Sequence, residues 1–557
     1  MIASLSGGFI KSEKGEFMGE KYFGVMLDVS RNAVMKVETV KRFVDYISAF
    51  GYNMLQLYTE DTYEVNNEPY FGHLRGGYKK NEIKEIDAYC KSKGVELIPC
   101  IQTLAHLRTI FRWFEYQGVN DCGDILLIDD PRTYKLIENM FATLAECYST
   151  RKVHIGMDEA HMVGRGKYMD LHGVTNRYEL LKKHLQKVVD IAKKYGFKPI
   201  MWSDMFFRMA NNGEYYGRNM KLPKEAIDGI PDVDLVYWDY YHKKKADYSA
   251  MLAAHEKFNK NIWFAGGAWC WYGFAPGNRY TLKNMKPAMQ ACKQGGVKNI
   301  FITMWGDNGK ECSYFSTLPA LFYLKRYYDG VTDRKQIAAE FKDITGESFE
   351  RMMNMDAPNY VGGNKEGGFR SPCKYMLYND PFFGWLDTQV KSGVDKEYKR
   401  YAKRFAIYAK QSEEFAYLYD FLSKLCKVLS YKYDLGVRVR EAYQSQNKEK
   451  LTSIVIDFKN TEKAVKSFYK AFRELWHKEN KPHGFEVHDI RLGGLIMRLK
   501  HCRERIEEYL RNEQDSLPEL EEVLLDLWGN GLQYSKETPC FPDWGMIVTT
   551  NQLTLTS

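Results

Sequence analysis

The chain has 557 residues and a formal net charge of +8, from 80 basic and 72 acidic side chains. That length allows two or three domains around a large core, and charges of both signs, spread without a dense basic stripe, speak against a nucleic-acid partner. Eleven cysteines without framework spacing predict free thiols in a reducing, cytoplasmic setting, no apolar run is long enough for a membrane span, and Met1–Gly19 lacks the apolar stretch of a signal peptide.

From Tyr22 to about Leu324, short apolar runs alternate with amphipathic helical stretches. Strands are predicted at Phe23–Val29, Asn53–Tyr58, Val95–Ile101, Val153–Met157, Pro199–Trp202, Leu235–Trp238, Ile262–Gly266 and Ile300–Met304. Helical patterns between them include Val34–Phe50, Asn81–Lys93, Tyr134–Tyr148, Tyr178–Tyr195 and Leu282–Gln294. Eight such units argue for a closed (β/α)8 TIM barrel. A doubly wound open sheet would be expected to carry a glycine-rich phosphate loop after an early strand, and none is present.

After about Thr332 the strand pattern stops. Phe415, Leu418, Leu422, Leu425 and Leu429 step at helical spacing, and Lys448–Glu479 and Glu486–Arg511 continue that way on either side of a Lys481–Gly484 turn. The expected organisation is a lead segment (1–20), a catalytic barrel (21–330) and a C-terminal all-α helical domain (331–557). The Gly- and Asn-rich stretch from Asn354 to Pro372 is expected as loop at the boundary, and the tail after Trp528 shows no clear element. The apolar stripes of the C-terminal helices suit an intramolecular core, and they leave a homodimer open.

A barrel builds its site at the C-terminal ends of its strands. Those ends read Asp28 and Arg31; Glu60-Asp61; Gln102 and His106; Asp158-Glu159; Trp202-Ser203-Asp204; Trp238-Asp239-Tyr240; Trp269-Cys270-Trp271-Tyr272; and Trp305-Gly306-Asp307. Tryptophan at four successive tips marks a rim, where packing alone explains it poorly. Aromatic faces with several carboxylates suit a neutral, hydroxyl-rich ligand, and sugar fits best. No metal-ligand spacing appears, so neither a metal nor another cofactor is expected; His106, His154 and His161 read as hydrogen-bonding groups.

The densest chemistry is His154-Ile155-Gly156-Met157-Asp158-Glu159. Successive strand residues point to opposite faces, so both carboxylates can serve one small site only if the chain leaves strand geometry at Asp158. Glycoside hydrolysis normally places two carboxyls on opposite sides of the scissile bond. Adjacent ones cannot easily do so. Either a second carboxylate comes from another strand, or a 2-acetamido sugar supplies its own nucleophile.

This segment resembles the His-x-Gly-x-Asp-Glu motif of glycoside hydrolase family 20, the β-N-acetylhexosaminidases. Met26–Arg31, Tyr58–Asp61, and Ile98-Pro99 with Leu104-Ala105-His106 are similar to further family segments in the same order, over roughly residues 20–330. Glu60–Glu64 with Glu68-Pro69-Tyr70 looks most like the compact intracellular branch that includes hexosaminidase D. The resemblance implies an exo-acting enzyme that removes terminal N-acetylglucosamine or N-acetylgalactosamine from an oligosaccharide or glycoconjugate, retaining configuration through an oxazolinium intermediate. It implies Glu159 as general acid and then base, and Asp158 as the group orienting the acetamido N–H. Glu60 and His106 would support Glu159. Trp202, Trp238 or Trp269, and Trp305 would wall the acetamido group and the sugar face. Tyr240 would bind the acetamido carbonyl, and Asp307 a distal hydroxyl.

Three departures stand beside it. Phe23 occupies the position before Gly24 where the family pattern has an arginine that binds sugar hydroxyls, a role that Arg31 could take over. Glu60 replaces an aspartate. Only about twenty residues precede the first strand, where most relatives carry a small α/β domain. The alternative to an enzyme is a non-catalytic carbohydrate-binding barrel.

Overall fold

The computed structural model describes residues 21–218, 220–527 and 529. The expected lead segment and nearly all of the tail after Trp528 lie outside the described residues.

Eight parallel strands close into a barrel in simple chain order. They are β1 (Phe23–Asp28), β2 (Met54–Tyr58), β3 (Glu96–Cys100), β4 (Lys152–His154), β5 (Lys198–Trp202), β6 (Asp234–Trp238), β7 (Ile262–Gly267) and β8 (Asn299–Met304). The register Leu27↔Met304 closes the ring between β1 and β8. Nearly every strand residue is buried on both faces, as all-parallel sheets covered by helices require.

Most element ends fall within a residue or two of the expected ones, and the exceptions have local causes. β4 stops at His154, three residues early, because Gly156 and Met157 adopt positive φ (70° and 69°), which a strand cannot hold. The helix expected from Tyr134 starts at Pro131, where the Asp130 side chain caps the Arg132 N–H and proline takes the first turn. A small antiparallel hairpin, Asn120–Cys122 with Ile125–Leu126, lies in the loop after β3 and was not expected. The stretch after Asn354 is not all loop. Its first turn, Asn354–Asn359, is a 3-10 helix that carries the buried Asp356 onto Arg279 of a barrel helix at 2.6 Å.

The described residues after Asp329 form helices and loops, the long helices being Val394–Gln411, Ala416–Lys432, Lys448–Glu479 and Phe485–Leu510. They bear on the end of the barrel where the strands' C-termini lie. His488 Nε2 lies 2.8 Å from the Gly309 carbonyl, Arg491 donates to the Asn308 carbonyl at 2.7 Å, and Asn32 donates to the Gly484 carbonyl at 2.9 Å. The loops that follow β1 and β8 are thus held from behind by the helical region. The ten cysteines among the described residues are all unpaired. No described helix is long and apolar enough to cross a membrane.

Candidate active site

The loops after the strands enclose a pocket lined by Arg31, Asp158, Glu159, Trp202, Trp238, Tyr240, Tyr241, Trp271, Trp305 and Asp307. Positive φ recurs in the loops at and around it, at Asn32, Glu60, His106, Met157, Glu159 and Asn308. Backbone held in that region by its surroundings is a common mark of a working site.

Leaving the strand at Ile155 turns both carboxylates to one side. His106 Nε2 lies 3.3 Å from Asp158 Oδ2 and 3.6 Å from Glu159 Oε2, so a single imidazole faces both acids. Gln102 secures the turn: its side-chain amide donates to Asp158 Oδ1 at 2.8 Å and its carbonyl accepts from the Met157 N–H at 3.2 Å. The fit leaves no room for a side chain at Gly156, where a Cβ would lie 2.0 Å from Gln102 Oε1. The Glu159 N–H donates to Asp204 at 3.0 Å.

Charges in the site are sorted by burial and neighbours. Burial alone would raise the Asp158 pKa, but the His106 charge and the Gln102 hydrogen bond pull it down to about 2. Burial would lower the His106 pKa, and Asp158 outweighs it and holds it at about 10. Asp204 sits well above the usual carboxylate range, through burial and then the Asp158 charge, which favours its neutral form. His154 is also neutral: burial pushes it to about 3, and its Nδ1 accepts from the Gly156 N–H.

Arg31 sits among three carboxylates, 2.9 Å from Asp307, 3.4 Å from Asp28 and 3.6 Å from Glu60. Phe23 is at the opposite end of β1, packed on Tyr52 and Tyr328. Five strand residues at ~3.3 Å each put it about 17 Å from Asp28, so no side chain at 23 reaches the pocket.

Glu60 belongs to a different chain of contacts than expected. It accepts from Tyr58 OH at 3.0 Å, and Tyr58 OH in turn accepts from Gln102 at 2.9 Å. This hydrogen-bond relay therefore ends on Asp158 through Gln102. Burial lifts the Glu60 pKa to about 7 against the pull of Arg31 and His106.

Of the four tip tryptophans, Trp202, Trp238 and Trp305 line the pocket. Trp269 does not. Its indole N–H donates to the Tyr240 carbonyl at 3.2 Å and its ring stacks at 4.2 Å behind Trp271, which takes the wall position. Tyr240 lies flat against Trp238, and its hydroxyl accepts from the Trp305 indole N–H at 3.0 Å, leaving the phenolic proton for another acceptor. Tyr215 was not foreseen. It reaches in from the loop after the helix Asp204–Ala210 and donates to Glu159 Oε1 at 2.8 Å.

Two family models match the chain. The glycosyl hydrolase family 20 catalytic domain matches residues 21–227, and the glycoside hydrolase 20C C-terminal domain matches residues 350–537. Among curated proteins, hexosaminidase D of Homo sapiens is 26% identical over 306 residues, 50% of this chain and 59% of that protein. Hexosaminidase D of Bos taurus is 25% identical over 264 residues, 44% of this chain and 69% of that protein. The match thus spans about three fifths of the human relative's length. Among solved structures, a β-N-acetylhexosaminidase from Bacteroides fragilis aligns with a TM-score of 0.44 at 17% identity, over 60% of this chain and 71% of that chain.

Proposed function

We propose that this chain, which belongs to glycosyl hydrolase family 20, is an exo-acting β-N-acetylhexosaminidase that works by substrate-assisted, retaining hydrolysis. The observation that carries this reading is the reach of one His106 nitrogen to both Asp158 and Glu159, at 3.3 and 3.6 Å. Two carboxyls so close together do not flank a sugar ring from opposite sides, as an ordinary double displacement requires. The remaining acid on the pocket wall, Asp307, is engaged by Arg31.

In this reading the terminal sugar enters nonreducing end first. Arg31 and Asp307 take its distal hydroxyls, which fits an enzyme that removes one end residue at a time. The acetamido group lies among Trp202, Trp238 and Trp305. Tyr240 donates its free phenolic proton to the acetamido carbonyl, and Asp158, ionised beside His106, accepts the N–H. The carbonyl oxygen then attacks C1 as the C1–O bond breaks. Glu159 gives its proton to the departing oxygen. Water then attacks C1 and gives its proton to Glu159 as the bond from C1 to the acetamido oxygen breaks, which restores the acetamido group, and configuration is retained after two inversions.

The substrate class is an oligosaccharide or glycoconjugate ending in a 2-acetamido sugar. The relatives that bear the name hexosaminidase support the sugar. The test is inhibition by a thiazoline analogue of the oxazolinium ion. Competitive inhibition at least a hundredfold tighter than by the product sugar is expected, as for transition-state-like ligands. Inhibition no tighter than by product would overturn the substrate-assisted mechanism.

A further inference from the structure

We propose that Tyr215 is a positioning residue for Glu159, fixing one oxygen of its carboxyl through a hydrogen-bond relay that starts at His161. The inference rests on the function proposed above, with Glu159 as the acid.

Tyr215 OH lies 2.8 Å from Glu159 Oε1 and 2.6 Å from His161 Nε2. A phenol has one proton. If that proton goes to Glu159, the phenolic oxygen accepts from His161, which must then carry a proton on Nε2. Burial and the neighbouring Arg208 charge favour that neutral ring. The relay has one direction: His161 Nε2–H to Tyr215 O–H to Glu159 Oε1.

The tyrosine is held for this task. Its ring lies 5.1 Å from Trp238 on the pocket wall and 5.0 Å from the Arg208 guanidinium. Arg208 also donates to the Gly213 carbonyl and so ties down the loop that delivers Tyr215. Tyr216, the next residue, is wedged among Phe207, Tyr237 and Trp238.

With Oε1 occupied, Oε2 is the oxygen left to carry the transferable proton. As C1–O breaks, its electron pair stays on the glycosidic oxygen, the Oε2 proton moves to that oxygen, and the aglycone leaves as an alcohol. Glu159 becomes a carboxylate at that moment. The Tyr215 hydrogen bond, now to a charged acceptor, strengthens as the charge develops. It therefore acts on kcat more than on KM.

Tyr215→Phe removes the hydroxyl and keeps the ring against Trp238. The experiment compares wild type and Tyr215→Phe on two N-acetyl-β-glucosaminides, one with a sugar aglycone and one with 2,4-dinitrophenol, which departs without protonation. The expected result is a loss in kcat of about tenfold to a hundredfold on the sugar aglycone, with KM within about twofold, and less than threefold loss on the dinitrophenyl substrate. Equal losses on both substrates, or none on either, would overturn the positioning role while leaving the enzyme's activity established. A wild type inactive on both acetamido sugars would overturn the function and this inference together.

Discussion

Arg31 Nη1 and Asp307 Oδ1 lie 2.9 Å apart although 276 residues separate them in sequence. They meet across the seam where β1 and β8 close the barrel. The Arg31 guanidinium also lies over the Trp305 and Tyr58 rings, at 5.0 and 5.4 Å. One cation thus joins the acidic end of the pocket to its aromatic wall. The residues next to each partner, Asn32 and Asn308, are gripped by the C-terminal helical region, which ties the geometry of the pocket floor to that region.

Asp307→Ala should weaken binding of the terminal sugar and leave the chemistry nearly intact. Losing a hydrogen-bond acceptor next to a charged group costs about 1.5–3 kcal/mol, or a rise in KM of roughly tenfold to a hundredfold. Steady-state kinetics checks this. A fall in kcat with KM unchanged would mean that Asp307 acts on the reaction itself.

The His106–Asp158 pair sets a pH dependence whose sign follows from the two shifts. His106 titrates at about 10, above its ordinary 6.5, so its stabilisation is full below pH 6.5 and is lost as pH rises through 10. Asp158 titrates at about 2, below its ordinary 3.8, so its stabilisation is present above pH 3.8 and is lost as pH falls through 2. Both contributions are complete only between those ordinary values. In Asp158→Asn the His106 titration should fall from about 10 towards 6.5, because burial and the Arg31 charge then act against the pull of Glu159 without that of Asp158. NMR of the His106 ring protons reads this directly, and an unmoved titration would disconnect the two residues.

Gly156→Ala should disable the site from the backbone. Its φ of 70° disfavours any L side chain, and the new methyl would collide with Gln102, which orients Asp158. Thermal denaturation should show a loss of at least about 2 kcal/mol, with activity falling further than stability explains. Wild-type activity in this variant would mean that Gln102 does not set the Asp158 position.

Much of this site was readable from the chain because strand ends are readable. Alternation of apolar runs with amphipathic stretches placed eight tips, and of the residues singled out there Arg31, Asp158, Glu159, Trp202, Trp238, Tyr240, Trp305 and Asp307 line the pocket, while Glu60, His106 and Trp269 do not. Loop residues escaped the same logic. Nothing periodic marks Tyr215, which arrives on a connection after a short helix. Trp269 and Trp271 lie two apart in one turn, and only the fold decides which faces inward; the hydrogen bond from Trp269 to Tyr240 turns it to the back. Position 23 was weighed as the place of a missing sugar contact, though strand direction alone puts it at the far end. Glu60 was expected to support Glu159 together with His106; its hydrogen bonds run through Tyr58 and Gln102 to Asp158, and its link to His106 is one of charge.

The most direct measurement is release of 4-nitrophenol from its N-acetyl-β-glucosaminide and from the plain β-glucoside, with Glu159→Gln alongside wild type. Turnover of the acetamido sugar only, with that turnover strongly reduced by Glu159→Gln, is the predicted result. Equal turnover of both sugars would contradict the claim that the substrate's own acetamido group is the nucleophile.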